Sequence, residues 1–331
     1  MFELHYGNCL DILRTMPDCS IDAVVTDPPY GLSFMGKKWD YDVPSTEIWA
    51  ECLRVLKPGG YLLAFAGTRT QHRMAVRIED AGFEIRDMLA WMYGSGFPKS
   101  HNLDGEHQGW GTALKPAMEP ITIARKPFKA TIAQNVQEWG TGAINIDGCR
   151  IETDEKWDEK DLSATVVDEF WVGKKPRFCG SHDLGRWPAN VMHDGSPEIL
   201  QGMGEAARFF YTPKACKDDR DDGCEMMKAK QYSHDGRDKA IENAYQRNDS
   251  QARNFHPTVK PTDLMRYLCR MVTPSGGIVL DPFTGSGSTG RGAVLEGFRF
   301  IGCEMDADYI EIAKARILAA EKAYQPCLIL D

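Results

Sequence analysis

Near its start the chain reads Ile21-Asp22-Ala23-Val24-Val25, followed directly by Thr26-Asp27-Pro28-Pro29-Tyr30. The first five residues are mostly β-branched and apolar and are bounded by turn formers, which predicts a short buried strand. Two consecutive prolines cannot extend a strand or sit inside a helix, so a stiff turn should follow. In open α/β sheets, ligands bind at the carboxyl ends of the strands. The stretch therefore predicts an α/β sheet with a ligand site at its turn.

The turn carries groups that can hold a planar amine. The Asp27 carboxylate and the Pro28 carbonyl can accept its two N–H bonds, while Tyr30 covers the face of the ring that bears it. The alternative is a proline-rich turn in which Asp27 serves only as a cap. These residues alone do not distinguish the two interpretations, so the rest of the chain must.

Length and composition describe an ordinary globular protein. The 331 residues suffice for one large α/β domain with an insertion. No run approaches the roughly 18 apolar residues of a membrane helix, and Met1-Phe2-Glu3 starts no signal peptide, so we expect a cytoplasmic protein without membrane contact. The 10 cysteines include no Cys-x-x-Cys pair, which favours reduced thiols over disulfides or a metal site.

The net charge of −9 is concentrated in two stretches. Residues 151–169 carry eight acidic and two basic side chains, and residues 217–225 carry five and two, which together account for the whole excess. The remainder of the chain is neutral, so a nucleic-acid partner is not excluded. We expect the two acidic stretches to be solvated loops.

Helical and strand periodicity is clear at both ends of the chain and weak between them. Lys57-Pro58-Gly59-Gly60 and Pro274-Ser275-Gly276-Gly277 each lie between a predicted helix and a predicted strand, which suggests two α/β units of one parallel sheet. From about 128 to 250 short apolar runs alternate with glycine, proline and charge, and Arg208–Tyr211 is a predicted strand there. We therefore divide the chain into a catalytic half, residues 1–128, an insertion, residues 129–254, and a second half, residues 255–331.

A second motif follows the predicted strand Ile278–Leu280 and opens a helix. It reads Asp281-Pro282-Phe283-Thr284-Gly285-Ser286-Gly287-Ser288-Thr289-Gly290. A phosphate loop of the Walker type would need a lysine after its last glycine, and Arg291 stands there. The spacing of Gly285, Gly287 and Gly290 matches a dinucleotide fingerprint, with Glu304 placed to hold a ribose, but no hydride-transfer residues accompany it. The third interpretation is an adenosyl cofactor without a pyrophosphate, with Glu304 on its ribose hydroxyls.

The two motifs together resemble the DNA amino-methyltransferases, which transfer a methyl group from S-adenosylmethionine to adenine N6 or cytosine N4. The order, with the Asp-Pro-Pro-Tyr turn before the cofactor motif, is that of the permuted beta group. His256–Pro261 is similar to that group's segment before the cofactor loop, and Lys115–Pro120 to the residues that lead into its last sheet strand. The resemblance covers roughly 1–128 and 255–322. It implies a Rossmann-like methyltransferase sheet, a target-recognition region at 129–254, double-stranded DNA as partner, and a homodimer as one allowed state.

The resemblance also assigns site residues. It implies methylation of a flipped base by in-line displacement, with Tyr30 stacked on that base. No residue is assigned to a metal. The expected catalytic residues are Asp27, Pro28, Pro29 and Tyr30. The expected DNA contacts are Lys37, Lys38 and Lys99. The expected cofactor contacts are Asp11, Asp27, Thr258, Lys260, Asp281, Pro282, Phe283, Gly285, Ser286, Gly287, Glu304 and Met305, with Thr258 and Lys260 at the methionine end.

Several functions remain open at this point. Adenine N6 is preferred because the resemblance implies that Asp-Pro-Pro-Tyr is commoner among adenine enzymes, and cytosine N4 is the runner-up. Protein glutamine and structured RNA are disfavoured, because related enzymes for those substrates place the cofactor loop first. A DNA-binding protein without catalysis is disfavoured by the two intact motifs. An NAD-dependent oxidoreductase is rejected unless the protein binds NAD in preference to S-adenosylmethionine.

Overall fold

A computed structural model describes residues 1–33, 38–94, 96, 100–153, 185–213, 219–231 and 251–324. An eight-stranded sheet lies at its centre, and a separate two-stranded sheet lies in the insertion. The strands are β1 (Phe2–Tyr6), β2 (Ile21–Thr26), β3 (Leu56–Phe65), β4 (Glu84–Met92), β5 (Met118–Arg125), β6 (Val191–His193), β7 (Lys230–Gln231), β8 (Gln251–Ala252), β9 (Ile278–Asp281) and β10 (Arg299–Glu304).

Helices cover both faces of the large sheet. They are α1 (Cys9–Thr15), α2 (Thr46–Val55), α3 (Gln71–Asp80), α4 (Ile132–Trp139), α5 (Pro197–Met203), α6 (Thr262–Val272), α7 (Ser288–Leu295) and α8 (Ala307–Ala323). No helix in the described ranges is both long and apolar enough to cross a membrane.

The order of strands in the sheet is β1-β10-β9-β2-β3-β5-β4-β6. Strand β2 lies between β3 and β9, and both neighbours run parallel to it. The two predicted α/β units therefore belong to one sheet, as expected, and their strands flank β2, the strand that Asp27 follows. Beyond β3 the strand β5 runs antiparallel to both β3 and β4. The α/β fold predicted from the sequence is confirmed.

Strand β2 is buried on both faces, because successive side chains point into two different helical layers. Val25 packs in a cluster with Leu63 of β3 and Leu268 of α6. Val24 packs on the other face in a cluster with Leu62 and Trp49, the latter from α2. This double coverage holds the end of β2, and the turn that follows it, in a fixed position relative to the helices.

Two local predictions were wrong. Lys57-Pro58-Gly59-Gly60 was expected to separate a helix from a strand, but these residues belong to β3. The ladder with β2 is irregular there: Ile21 pairs with Leu56 and Ala23 pairs with Tyr61, so β3 carries extra residues that loop out. The predicted strand Arg208–Tyr211 is not a strand: its first two residues lie in a 3₁₀ helix, Gly204–Phe209, and Tyr211 forms an isolated bridge to Met192.

The insertion is joined to the sheet at two places. Helix α4 follows the predicted boundary directly, and Asn135 donates a hydrogen bond to the Pro58 carbonyl at 2.8 Å. Strand β6 extends the sheet by pairing with β4. The described part of the acidic stretch 217–225 is not a solvated loop, since Asp219 accepts hydrogen bonds from Thr262 N at 3.1 Å and from Thr262 Oγ1 at 2.7 Å. The boundaries at 128 and 254 stay predictions.

Candidate active site

The Asp27 carboxylate lies at the end of β2 in a compact group of polar side chains. Its Oδ2 is 2.6 Å from Lys260 Nζ, and its Oδ1 accepts a hydrogen bond from the Tyr30 hydroxyl at 2.7 Å. The same hydroxyl lies 3.1 Å from Glu119 Oε2, and Lys260 Nζ lies 3.2 Å from that oxygen. Because a hydroxyl has one proton, Tyr30 can donate to only one of the two carboxylates at a time. We call Asp27, Tyr30, Glu119 and Lys260 the carboxylate cluster.

Lys260 is the charge that allows two carboxylates to lie so close. Its side chain is only 7% exposed, against 20% for Asp27 and 22% for Glu119. Burial by itself would lower the pKa of Lys260, but the charges of Asp27 and Glu119 outweigh that effect and raise the pKa above its usual value. Burial, together with the same two carboxylates, raises the pKa of Tyr30. The cluster thus holds a charged lysine and a neutral tyrosine, with one more carboxylate than ammonium.

The turn after Asp27 is shaped by a buried carboxylate that the sequence analysis did not identify. Asp40 Oδ1 accepts hydrogen bonds from Tyr30 N at 2.6 Å and from Gly31 N at 2.9 Å. Its Oδ2 accepts one from Leu32 N at 3.2 Å. Within the described part of the chain the Pro28 carbonyl accepts no hydrogen bond. The turn therefore presents a free acceptor beside Asp27, on a backbone that Asp40 holds in place.

Asp281 connects the two motifs. It ends β9, next to β2, and its Oδ1 accepts hydrogen bonds from Thr26 Oγ1 at 2.6 Å and from Phe283 N at 3.0 Å. Burial raises the pKa of Asp281 to about 6, although the hydrogen bonds from Thr26, Thr289 and Phe283 oppose the shift. The residue before Asp27 and the start of the glycine loop are thus in direct contact, as the two-motif interpretation requires.

The glycine loop needs its glycines for steric reasons. Gly285 and Gly287 have φ of +52° and +78°, in the left-handed region. A Cβ atom at Gly285 would lie 2.9 Å from His256 Nε2, and one at Gly287 would lie 2.8 Å from Ala313 Cα. His256 and α8 therefore pack directly against the loop. Burial lowers the pKa of His256 to about 4, so this histidine is neutral at physiological pH.

Glu304 lies at the end of β10 and faces the glycine loop. Its Oε2 accepts a hydrogen bond from Gly285 N at 2.8 Å, and its Oε1 accepts one from Asp306 N at 2.8 Å. Burial raises the pKa of Glu304 to about 6, with these backbone hydrogen bonds opposing the shift. Each carboxylate oxygen retains a second lone pair, so Glu304 can still accept hydrogen bonds from ribose hydroxyls.

Arg316 of α8 holds the loop from the protein interior and was missed by sequence reasoning. Its side chain is fully buried, and its Nη1 donates to the Ser286 carbonyl at 2.7 Å. Its Nη2 donates to the Asp219 carbonyl at 2.8 Å. Burial lowers the pKa of Arg316 to about 10. The arginine thereby ties the glycine loop to the segment of the insertion that caps α6.

The structure places the other predicted cofactor residues in different settings. Lys260 lies in the carboxylate cluster. Asp11 lies on the exposed side of α1, with its carboxylate 3.8 Å from Arg14 and a side chain 76% exposed. Thr258 is exposed, and its carbonyl is paired with His256 Nδ1. Met305 is 62% exposed. These assignments stay predictions.

Two further predicted sets can be placed only in part. Pro282 is buried within the loop, and the Phe283 ring contacts the Trp49 ring edge-on at 6.1 Å. Lys37 and Lys99 lie outside the described residues, as does the side chain of Lys38.

For Glu119, Asp40 and Arg316 the only sequence signal was a charged residue within or next to a predicted element, which is too common to single them out.

The residues present fit an adenosyl cofactor. The glycine loop lies directly beside the half-buried Glu304 carboxylate at the next strand end, and that carboxylate keeps lone pairs for hydroxyl donors. In the described part of the chain the loop carries no lysine that could neutralise a pyrophosphate. The donor set thus agrees with the third interpretation of the motif.

Comparison with known proteins gives the same family. A family model described as DNA methylase matches residues 21–315. DNA adenine methyltransferase YhdJ of Escherichia coli is 42% identical over 319 residues, covering 94% of this chain and 81% of that protein. Type II methyltransferase M.HindIII of Haemophilus influenzae is 26% identical over 287 residues, covering 82% of this chain and 67% of that protein.

Among solved structures, PvuII DNA methyltransferase (cytosine-N4-specific) aligns with a TM-score of 0.53 at 17% identity. The alignment covers 95% of this chain and 86% of that one, and it supports the fold alone. The family model spans both motifs, the strand that leads to Asp27 and most of α8. The resemblance found in the sequence is therefore confirmed, and the chain belongs to the N6/N4 DNA methylase family.

Proposed function

We propose that the protein transfers a methyl group from S-adenosylmethionine to the N6 amine of adenine in double-stranded DNA. The observation that carries the proposal is a pair of acceptors at the end of β2, beside the Asp281 loop: the Asp27 carboxylate and the Pro28 carbonyl, which accepts no hydrogen bond from the described residues. S-adenosylmethionine, when bound, supplies the methyl group and the sulfonium from which it leaves. The residues described above supply the grip on the amine.

Two acceptors are what an aromatic amine needs in order to react. The lone pair of adenine N6 is delocalised into the ring, so the free amine is a poor nucleophile. Hydrogen bonds from its two N–H groups to Asp27 and to the Pro28 carbonyl would localise the lone pair and direct it away from the ring plane. Asp27 is already paired with Tyr30 and Lys260, but its oxygens keep lone pairs free for one more donor.

The carboxylate cluster also suits the charge of the reaction. Positive charge develops on the amine as the methyl group arrives, and the product amine must then lose a proton. Asp27 and Glu119 together outweigh Lys260 by one negative charge. A preorganised negative site stabilises that developing charge without reorganisation, which is the largest catalytic effect in many enzymes.

Adenine is favoured over cytosine by the relatives. The relative at 42% identity is named a DNA adenine methyltransferase. The cytosine-N4-specific structure shares only the fold at 17% identity. The Asp-Pro-Pro-Tyr turn favours adenine as well. Cytosine N4 would use the same two acceptors and is the second candidate.

Other parts of the account remain proposals. Lys37, Lys38 and Lys99 are proposed DNA contacts, and residues 129–254 are the proposed target-recognition region. We expect the enzyme to act in the cytoplasm, and a homodimer is compatible with the fold. The target must be turned out of the duplex, since N6 is not accessible to Asp27 within a stacked helix.

The test compares Asp27→Asn with the wild type, using S-adenosylmethionine labelled in the methyl group and duplex DNA. Replacing one acceptor oxygen by an NH₂ group removes a hydrogen bond to the amine and should lower the transfer rate by roughly 10²–10³. Binding of S-adenosylmethionine, measured by calorimetry, should change little. Asp42→Asn is the matched control, because Asp42 lies on the same loop and pairs with Arg77 at 2.7 Å. Transfer by Asp27→Asn at the wild-type rate would exclude the mechanism.

A further inference from the structure

A groove of about 380 Å³ lies beside the catalytic turn. One wall is the backbone and side chains of Gly31, Leu32 and Ser33, which follow Tyr30 directly. The other wall is the loop and first turn that start α3, with the side chains of Arg69, Thr70, His72 and Arg73. We call this cavity the basic groove. None of its lining residues belongs to the carboxylate cluster or to the glycine loop.

The lining of the basic groove contains two arginines and no acidic residue. Arg69 and Arg73 are exposed, and within the described part of the chain neither forms an ion pair. Arg77, one turn further along α3, provides a contrast: it is paired with Asp42 at 2.7 Å and donates to the Val43 carbonyl. The first turn of α3 contains no acidic residue. Two exposed guanidinium groups on one groove are suited to an anion.

The groove is in contact with the catalytic turn itself. A Cβ atom at Gly67 would lie 3.4 Å from Cδ2 of Tyr30 and 2.9 Å from Cδ1 of Leu32. Gly67 therefore packs against the turn, and Arg69 follows two residues later. Gln71 N, at the start of α3, donates to the Gly67 carbonyl at 2.8 Å, which fixes the helix relative to this contact. The backbone segment that begins at Gly67 and contacts Tyr30 therefore also carries the two guanidinium groups.

Building on the proposed function, we propose that the basic groove binds a backbone phosphate of the DNA strand that carries the target base. A flipped nucleotide stays attached to its strand, so its flanking phosphates must lie at the mouth of the site that holds the base. Phosphate contacts position a protein on DNA, and arginine can bind phosphate oxygens with two parallel N–H bonds. Arg69 and Arg73 would then set the position of the strand relative to Asp27.

The test measures how DNA affinity depends on salt. Each phosphate contact that is lost reduces the slope of log K against log salt concentration by roughly 0.9 for duplex DNA. We expect Arg69→Ala/Arg73→Ala to lose roughly 0.9 of slope and to bind a labelled mixed-sequence duplex about tenfold more weakly near 50 mM salt. Fluorescence anisotropy at several salt concentrations gives both the slope and the DNA affinity. Binding of S-adenosylmethionine is measured on the same protein as a check that the variant is folded.

Two controls separate a phosphate contact from a structural effect. Arg299→Ala removes an exposed arginine at the amino end of β10, which is separated from β2 by β9, and should leave slope and affinity unchanged. Arg69→Lys/Arg73→Lys keeps the charge and should retain most of the slope, with weaker affinity because the two-pronged geometry is lost. An alanine variant with the wild-type slope and affinity, in a protein that methylates DNA, would overturn the groove proposal and leave the proposed function standing. A wild-type protein that neither binds nor methylates DNA would overturn both.

Discussion

Lys260→Met should destabilise the protein and make both its stability and its activity depend on pH. The lysine lies 2.6 Å from Asp27 and 3.2 Å from Glu119 in a setting where its side chain is only 7% exposed. At an effective dielectric constant of about 20, these two contacts correspond to gross attractions of about 6 and 5 kcal/mol. Desolvation of the ammonium cancels a large part of that attraction, so the net cost of breaking the pairs is about 3–5 kcal/mol.

For a chain of this length, that loss corresponds to a fall in Tm of about 4–7 °C at neutral pH. Without the ammonium the two carboxylates repel each other, which raises the folded-state pKa of one of them above its unfolded value. A group with a raised pKa stabilises the fold when it is protonated, so the stability deficit of the variant should shrink as the pH falls through that raised pKa. Methyl transfer should change in the opposite direction, because it needs an ionised Asp27.

The assay is thermal unfolding followed by fluorescence at several pH values, together with single-turnover methyl transfer at the same values. Lys57→Met is the matched control. Lys57 pairs with the buried Asp22 at 2.7 Å, at the far end of β2 from Asp27. This variant should also lose stability, but its transfer rate should keep the pH profile of the wild type. A Lys260→Met protein with a wild-type Tm at every pH would refute the role given to the lysine.

Three further expectations test the cofactor side. Glu304→Ala should weaken S-adenosylmethionine binding about tenfold or more in calorimetry, since one charged hydrogen-bond partner is worth about 1.5–3 kcal/mol; an unchanged dissociation constant would remove Glu304 from the site. His256 binds a proton in the unfolded chain near pH 6.5 but in the folded protein only near pH 4, so stability should decline as the pH falls through this window. In urea unfolding, His256→Asn should make the free energy of unfolding depend less on pH in this window. The same pH dependence as in the wild type would contradict the role given to His256. Arg316→Met should leave the Ser286 and Asp219 carbonyls without their donor, lower stability by about 1–3 kcal/mol and weaken cofactor binding; cofactor affinity equal to that of the wild type would show that the loop does not depend on it.

The parts of the site that could be predicted are those that a few consecutive residues determine locally. A β-branched run followed by two prolines specifies a buried strand and a stiff turn locally, and the strand at 21–26 is observed as such. Glycines between a strand and a helix likewise indicate a close approach, and Gly285 and Gly287 show the required positive φ. The family resemblance added the relation between the two motifs, which the contact of Thr26 with Asp281 now displays.

The parts that could not be predicted depend on contacts between distant residues. Lys260 reaches Asp27 across 233 positions, and Tyr30 reaches Glu119 across 89. Glu119 lies in a strand predicted from its periodicity, but nothing local shows that the strand would bring its carboxylate beside Asp27. Asp219 was taken for part of a solvated loop because its neighbours are charged. Its role as the cap of α6 appears only once the insertion is folded against the cofactor half.

The central claim is that Asp27 and the Pro28 carbonyl hold adenine N6 for methylation. The most direct measurement is to express the protein in a host that lacks DNA methylation, digest the DNA to nucleosides and separate them by liquid chromatography with mass spectrometry. The account predicts N6-methyldeoxyadenosine with the wild type and a near-complete loss of it with Asp27→Asn. N4-methyldeoxycytidine in its place, or DNA without any methylated base, would contradict the account.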